Sequence, residues 1–121
     1  MTYIDIKVDD YDAKVLVFVG TQVEMVEEME IQLKAGRIKQ PAINTLKEKK
    51  PKGFFLGCND CEIAAVVTDN LKDSSIESIL SFVLFRAGEK LLKKKGVDFK
   101  KNDGAHLMEY LMDKAIKGIR D

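Results

Sequence analysis

The segment of the sequence with the clearest capacity for chemistry contains two cysteines. Cys58 and Cys61 are separated only by Asn59 and Asp60, and two sulfurs at this spacing across a tight turn can point at one position. Such a pair can provide half of a tetrahedral zinc or iron site, or it can alternate between dithiol and disulfide. A structural interpretation also stays open, because free cysteine is often a small buried residue at the end of a hairpin.

A metal or redox site would need help from other residues. A structural zinc ion takes four ligands, and the sequence has no second pair at this spacing. The candidate metal ligands are therefore Cys58, Cys61 and His106, with a carboxylate of Asp60 or Glu62, or the same pair from a second subunit, to complete the set. A redox pair needs a lowered thiolate pKa, which these two acidic neighbours oppose. No cofactor is predicted.

Most catalytic motifs are absent. The sequence has no GxGxxG, GxxxxGK[ST], GxSxG or HExxH segment, so dinucleotide binding of the usual type, P-loop hydrolysis, the hydrolase elbow and zincin chemistry lack support. His106 is the single histidine, and a serine or cysteine nucleophile of the common type would depend on it as a base. The sequence therefore leans against an enzyme.

Composition indicates one soluble domain spanning residues 1–121. The chain is 45% hydrophobic, and its 20 basic and 20 acidic residues cancel, which argues against disorder and against a nucleic-acid-binding protein. Residues 37–60 nevertheless contain six bases and two acids, and further lysines cluster at 90–101. These clusters lack the interleaved aromatic residues that stack bases, so nucleic acid remains a disfavoured partner. We predict a cytoplasmic protein, with neither a signal peptide nor a membrane span.

Hydrophobic periodicity predicts an α+β fold of order ββα(α)ββαα. Two strands, at 15–19 and 63–67, are apolar without alternation, which is typical of central strands. The strands at 3–8 and 53–58 then flank them, in a mixed four-stranded sheet of order 1-2-4-3. Helices follow at 22–35, from Pro41, at 75–95 and after Gly104, and we expect them to pack mainly on one face of the sheet.

Local signals refine these boundaries. Thr21 with Glu24, and Ser74 with Glu77, have the spacing of capping boxes that begin helices. Asn59 and Asp60 are expected to form a two-residue hairpin loop, since both residue types tolerate positive φ. The buried face of the first helix is predicted to contain Val23, Val26, Met29 and Leu33.

The helix at 75–95 carries more apolar surface than one packed face requires. One arc is wide enough to cover a sheet; it contains Ile76, Ile79, Leu80, Val83, Leu84, Ala87 and Leu91. Phe82, Phe85 and Leu92 lie outside that arc, so either the last helix or a second subunit must cover them. The leading prediction is an interaction or accessory module, most simply a homodimer, that associates through this second face or binds another protein. The thiol site at residues 58–61 is the alternative.

Overall fold

Four strands form one mixed sheet in the computed structural model, which describes residues 1–99 and 104–120. The strands are β1 (Thr2–Val8), β2 (Ala13–Gly20), β3 (Gly53–Gly57) and β4 (Glu62–Val67). Their order is β1-β2-β4-β3, and β2 pairs parallel with β4, whereas the two outer pairs are antiparallel. The predicted fold class, sheet order and central strands are confirmed.

The helices cover both faces of this sheet. They are α1 (Gln22–Lys34), α2 (Gln40–Lys49), α3 (Ser75–Lys94) and α4 (Gly104–Arg120). α3 and α4 pack against one face, and α1 and α2 pack against the other. The expectation that the helices lie mainly on one face is therefore wrong, and the chain has three layers with the sheet in the middle. No helix of the described part of the chain is both long and apolar enough to cross a membrane.

The sequence of β2 explains the two-sided packing. Val15, Val17 and Val19 point toward α3 and α4, whereas Leu16 and Phe18 point toward α1 and α2. Successive side chains of a strand alternate between faces, so an uninterrupted apolar strand places hydrophobic surface on both sides of the sheet. Each side must then be covered by helices to remove that surface from water.

Capping was predicted correctly at one helix and wrongly at another. The Thr21 hydroxyl accepts a hydrogen bond from the Glu24 N–H, and the Glu24 carboxylate accepts one from the Thr21 N–H. At α3, however, the Ser74 side chain makes no capping bond, and the Asp73 carboxylate accepts hydrogen bonds from the N–H and hydroxyl of Ser75. A carboxylate is a stronger acceptor than a neutral hydroxyl at a helix N-terminus, so the cap lies one residue earlier than predicted.

The predicted buried face of α1 is confirmed at Met29 and, half-buried against the same cluster, at Val26 and Leu33, but it is wrong at Val23. Met25 and Met29 are fully buried in the cluster between α1, α2 and β2, whereas Val23 is 67% exposed. Gln32 continues the buried row at the next helical position. The buried face of α1 is the side that packs against β2 and α2. Valine and methionine are both apolar, so the hydrophobic pattern alone does not indicate which side that is.

Candidate functional site

The cysteine loop, residues 58–61, joins β3 to β4 at one end of the sheet. The last strand pair is Gly57 with Glu62, and the Cys58 N–H donates to the Cys61 carbonyl at 3.0 Å. The structure joins Cys58 and Cys61 in a disulfide, with 5.3 Å between their Cα atoms. The close spacing of the two cysteines in the sequence therefore corresponds to a disulfide in the structure.

The turn inside this loop differs from the predicted one. Neither Asn59 nor Asp60 has a positive φ; among non-glycine residues the structure describes, only Asp12 and Lys50 do. A two-residue hairpin turn of the expected type would direct the Cys58 carbonyl toward the Cys61 N–H. That carbonyl instead accepts a hydrogen bond from Lys94 Nζ at 2.7 Å, so the C-terminal end of α3 contacts the cysteine loop.

Lys94 also neutralises a buried carboxylate. Its Nζ lies 2.6 Å from Oε1 of Glu62, whose side chain is only 3% exposed. Burial raises the pKa of Glu62, and the hydrogen bond and positive charge of Lys94 partly oppose this rise. Oε2 of Glu62 has no hydrogen-bond partner among the described residues. Lys94 therefore links the end of α3 to both the cysteine loop and the first residue of β4.

Arg37 contacts the cysteine loop from the side of the sheet that α1 and α2 cover. Its Nη1 donates to Gln32 Oε1 of α1 at 3.1 Å, and its Nε lies 3.7 Å from Oδ1 of Asp60. The sequence neighbours of the cysteines are acidic, but the fold adds Arg37 and Lys94 to the same loop. The two acidic neighbours of the cysteines in the sequence, Asp60 and Glu62, are therefore each paired with a cation in the fold.

Two cavities lie beside the cysteine loop. A cavity of about 440 Å³ is lined by Arg37, Lys39, Cys58 and Lys90, among others. A smaller one of about 210 Å³ includes Cys61 on the side of α3. The basic segments 37–52 and 90–101 thus contribute residues to one place, although Lys100 and Lys101 lie outside the described residues. Cys58 and Cys61 are 6% and 4% exposed, so both are largely shielded from solvent.

The metal ligands predicted from the sequence are only partly brought together. Ligand atoms of Cys58, Asp60 and Cys61 lie within 4.8 Å of one another. His106 is not part of that group: it is exposed at the beginning of α4 and lines a different cavity with Asp9 and neighbouring residues. In the described residues the group thus offers three ligands where a closed zinc site takes four, and in the disulfide form its sulfurs are not thiolates.

The proposed interface residues on α3 separate into two groups. Phe82 is 65% exposed and Phe85 is 40% exposed, although Phe85 also contacts the ring of Phe99 at 5.0 Å between centroids. Leu92 is fully buried in the core cluster that contains Leu107 and other residues of α4. Leu92 is therefore unavailable to a partner, because α4 covers that side of α3.

Comparisons of the chain with protein families, curated proteins and solved structures gave no match. The sequence places Arg37, Lys90 and Lys94 in two basic clusters but gives no sign that they lie beside the cysteines. They lie far from the cysteines along the chain, and no motif spacing connects them to the loop. Lysines at a helix C-terminus are also expected for helix stability alone, so their position in the sequence did not mark them as site residues.

We expect removal of Lys94 to make stability depend strongly on pH. In Lys94→Ala, the buried Glu62 carboxylate loses its partner, which should cost about 1–3 kcal/mol near pH 8. The pKa of Glu62 is raised in the folded chain above its ordinary value of 4.5, so the folded state keeps a proton that the unfolded state releases. The stability that the protonated Glu62 carboxyl contributes is complete below pH 4.5 and is lost as the pH rises. We expect this loss to be larger in Lys94→Ala than in the wild-type chain.

Urea unfolding at pH 5 and pH 8 measures this effect. The matched control is Lys93→Ala, which removes the exposed neighbouring lysine and should change stability by less than about 0.5 kcal/mol. Adding Glu62→Gln to Lys94→Ala should restore most of the stability lost at pH 8. An equal loss at both pH values would contradict the role given to the buried ion pair.

Proposed function

We propose that this chain is a thiol–disulfide exchange protein in which Cys58 and Cys61 alternate between dithiol and disulfide. The observation that carries the proposal is a closely spaced cysteine pair, joined in a disulfide, in a loop that Arg37 and Lys94 contact from opposite sides of the sheet. The reduced pair would transfer two electrons and two protons to a small disulfide. The products are the chain disulfide and two molecules of thiol.

Cys58 is the attacking residue in this proposal. It lines the larger cavity together with four cationic side chains, and nearby positive charge lowers the pKa of a thiol and raises its thiolate fraction at neutral pH. Its thiolate would attack one sulfur of the substrate and release the other as a thiol. The Cys61 thiol would lose its proton and attack the mixed disulfide at Cys58, which releases the second thiol.

A cytoplasmic location, predicted from the sequence, is part of this proposal. A reducing compartment contains a pool of small thiols that can return the chain disulfide to the dithiol. In that setting a cytosolic disulfide is typically transient and catalytic or redox-sensing rather than a permanent crosslink.

Oxidised glutathione provides the direct test. When it is added to the reduced chain in excess, both cysteines should become resistant to alkylation, and two equivalents of glutathione thiol should appear per chain. The intact mass after alkylation and a thiol assay give these two numbers. Cysteines that remain fully alkylated after hours in a tenfold excess would contradict the proposed function.

We also propose self-association through the exposed side of α3, as a second candidate function. Phe82 and Phe85 are exposed there, and Arg86 and Glu89 supply opposite charges on the same side. A second copy of the chain, packed antiparallel, could place Arg86 of one copy near Glu89 of the other while both phenylalanines leave water. This charge complementarity favours a homodimer as the occupant.

Light scattering distinguishes the dimer from the monomer. The wild-type chain should give twice its 13.6 kDa mass, and Phe82→Glu should give a folded monomer because a charge would be buried in the interface. Val23→Glu is the matched control, since Val23 is equally exposed but lies on α1 at the other face of the sheet. A monomeric wild-type chain at high concentration would exclude this second function.

A further inference from the structure

The cavity beside Cys58 has the features of a docking site for a small anionic ligand. We infer that it binds a thiol or disulfide that carries carboxylates, such as a short acidic peptide, and so selects the substrate of the cysteine pair. This inference rests on the proposed function, because it names the substrate class of the same site. The volume of the cavity, about 440 Å³, lies within the range of small-ligand sites, which is about 300–1,000 Å³.

The charges that line the cavity are positive and partly uncompensated. Four cationic side chains line it, and none of its described lining residues is acidic. Arg37 is paired with Asp60 and Lys94 with Glu62. Lys39 and Lys90 have no carboxylate within ion-pair distance among the described residues, although the charge of Lys90 also acts on Glu62. The amino groups of these two lysines are therefore the ones that a carboxylate ligand would contact.

Lys90 reaches this position because Gly57 has no side chain. A Cβ at Gly57 would lie 2.9 Å from Lys90 Cε and 3.3 Å from its Nζ, so the lysine side chain crosses the end of β3 in close contact with the backbone. The amino group of Lys90 is thereby held beside Gly57, the residue that precedes Cys58. A carboxylate bound by Lys90 would place the rest of a small ligand near the disulfide.

The open edge of β3 offers backbone groups for a peptide ligand. The Cys58 N–H and the Lys52 carbonyl both bond toward β4, and bonding alternates along an antiparallel strand. The N–H and carbonyl of Gly57 therefore point away from the sheet, at the cavity. Ile38, Ala42 and Leu56 add apolar lining. Backbone pairing, an apolar floor and two free cations together match a short acidic peptide rather than a bare inorganic anion.

Binding can be measured without any thiol chemistry. S-methylglutathione has two carboxylates and no free thiol, so it cannot exchange with the oxidised chain. We expect it to bind the oxidised wild-type chain, as followed by calorimetry at low salt, and expect Lys39→Glu/Lys90→Glu to weaken binding at least ~10-fold. Lys49→Glu/Lys72→Glu, with the same charge change outside the cavity, should bind as wild type. No wild-type binding, equal loss in both double variants, or tighter binding of a short single-stranded DNA would overturn the inference.

Exchange rates then separate this inference from the proposed function. The reduced wild-type chain should react faster with oxidised glutathione than with neutral hydroxyethyl disulfide, and Lys39→Glu/Lys90→Glu should lower the ratio of the first rate to the second at least ~10-fold, whatever the change in the second rate itself. Reaction with both disulfides at a rate ratio that the double variant leaves unchanged would overturn the docking site and retain the thiol exchange. No reaction with either disulfide would overturn the proposed function and the inference together.

Discussion

Reduced Cys61→Ser should accumulate a mixed disulfide with glutathione at Cys58, whereas reduced Cys58→Ser should react at least ~10-fold more slowly with oxidised glutathione. The reason is that Cys58, the attacking residue of the proposed exchange, lines the cavity together with four cationic side chains. In Cys61→Ser the second thiol is missing, and the mixed disulfide cannot be resolved within the chain. Intact-mass measurement over time gives both rates and identifies the adduct.

Both serine variants should remain folded, which makes this comparison possible. Each replaces a buried sulfur with a hydroxyl, at an expected cost of about 1–3 kcal/mol. Circular dichroism and urea unfolding check this directly. Equal rates for the two variants, or an adduct that forms only at Cys61, would contradict the assignment of Cys58 as the attacking residue.

Phe18→Ala and Leu84→Ala should each destabilise the chain strongly, although they lie on opposite faces of the sheet. Phe18 is fully buried toward α1 and α2, and Leu84 is fully buried toward α3 and α4. Removing these side chains should cost about 3–5 kcal/mol and about 2–5 kcal/mol respectively, because each leaves a cavity in a packed layer. Urea unfolding of each variant measures the cost.

Val23→Ala is the control for this pair, since Val23 is largely exposed on α1, and it should change stability by less than about 0.5 kcal/mol. The comparison also distinguishes the observed face of α1 from the face that periodicity predicts. A large loss at Val23 with a small loss at Phe18 would mean that α1 and α2 do not cover the second face of the sheet.

The sheet could be predicted because its signals are local. The continuous apolar run of β2 marks a central strand, and the Thr21 capping box marks the beginning of α1. The distribution of helices could not be predicted in the same way. The run in β2 is compatible with cover on both faces, but which helix lies on which side depends on contacts between distant segments that periodicity does not contain.

The site could be predicted only in part, for a similar reason. The spacing of Cys58 and Cys61 identified the pair, but His106 was joined to it because it is the single histidine, and the fold places it in another cavity. Arg37 and Lys94 reach the loop from separate elements, so their chemistry appears only after folding. The pattern predicts Leu92 at an interface because its helical position is outside the main arc, and in the fold α4 is the element that covers it.

Equilibration of the chain in glutathione buffers of stepped potential tests the central claim most directly. The fraction of disulfide, measured by alkylation and intact mass, should follow a two-electron transition between about −270 and −120 mV, the range of thiol–disulfide exchange proteins, because in the proposed exchange the cations beside Cys58 favour its reduced form. A disulfide that stays intact below about −300 mV would instead be a structural crosslink. That result would contradict the proposal that Cys58 and Cys61 exchange electrons in function.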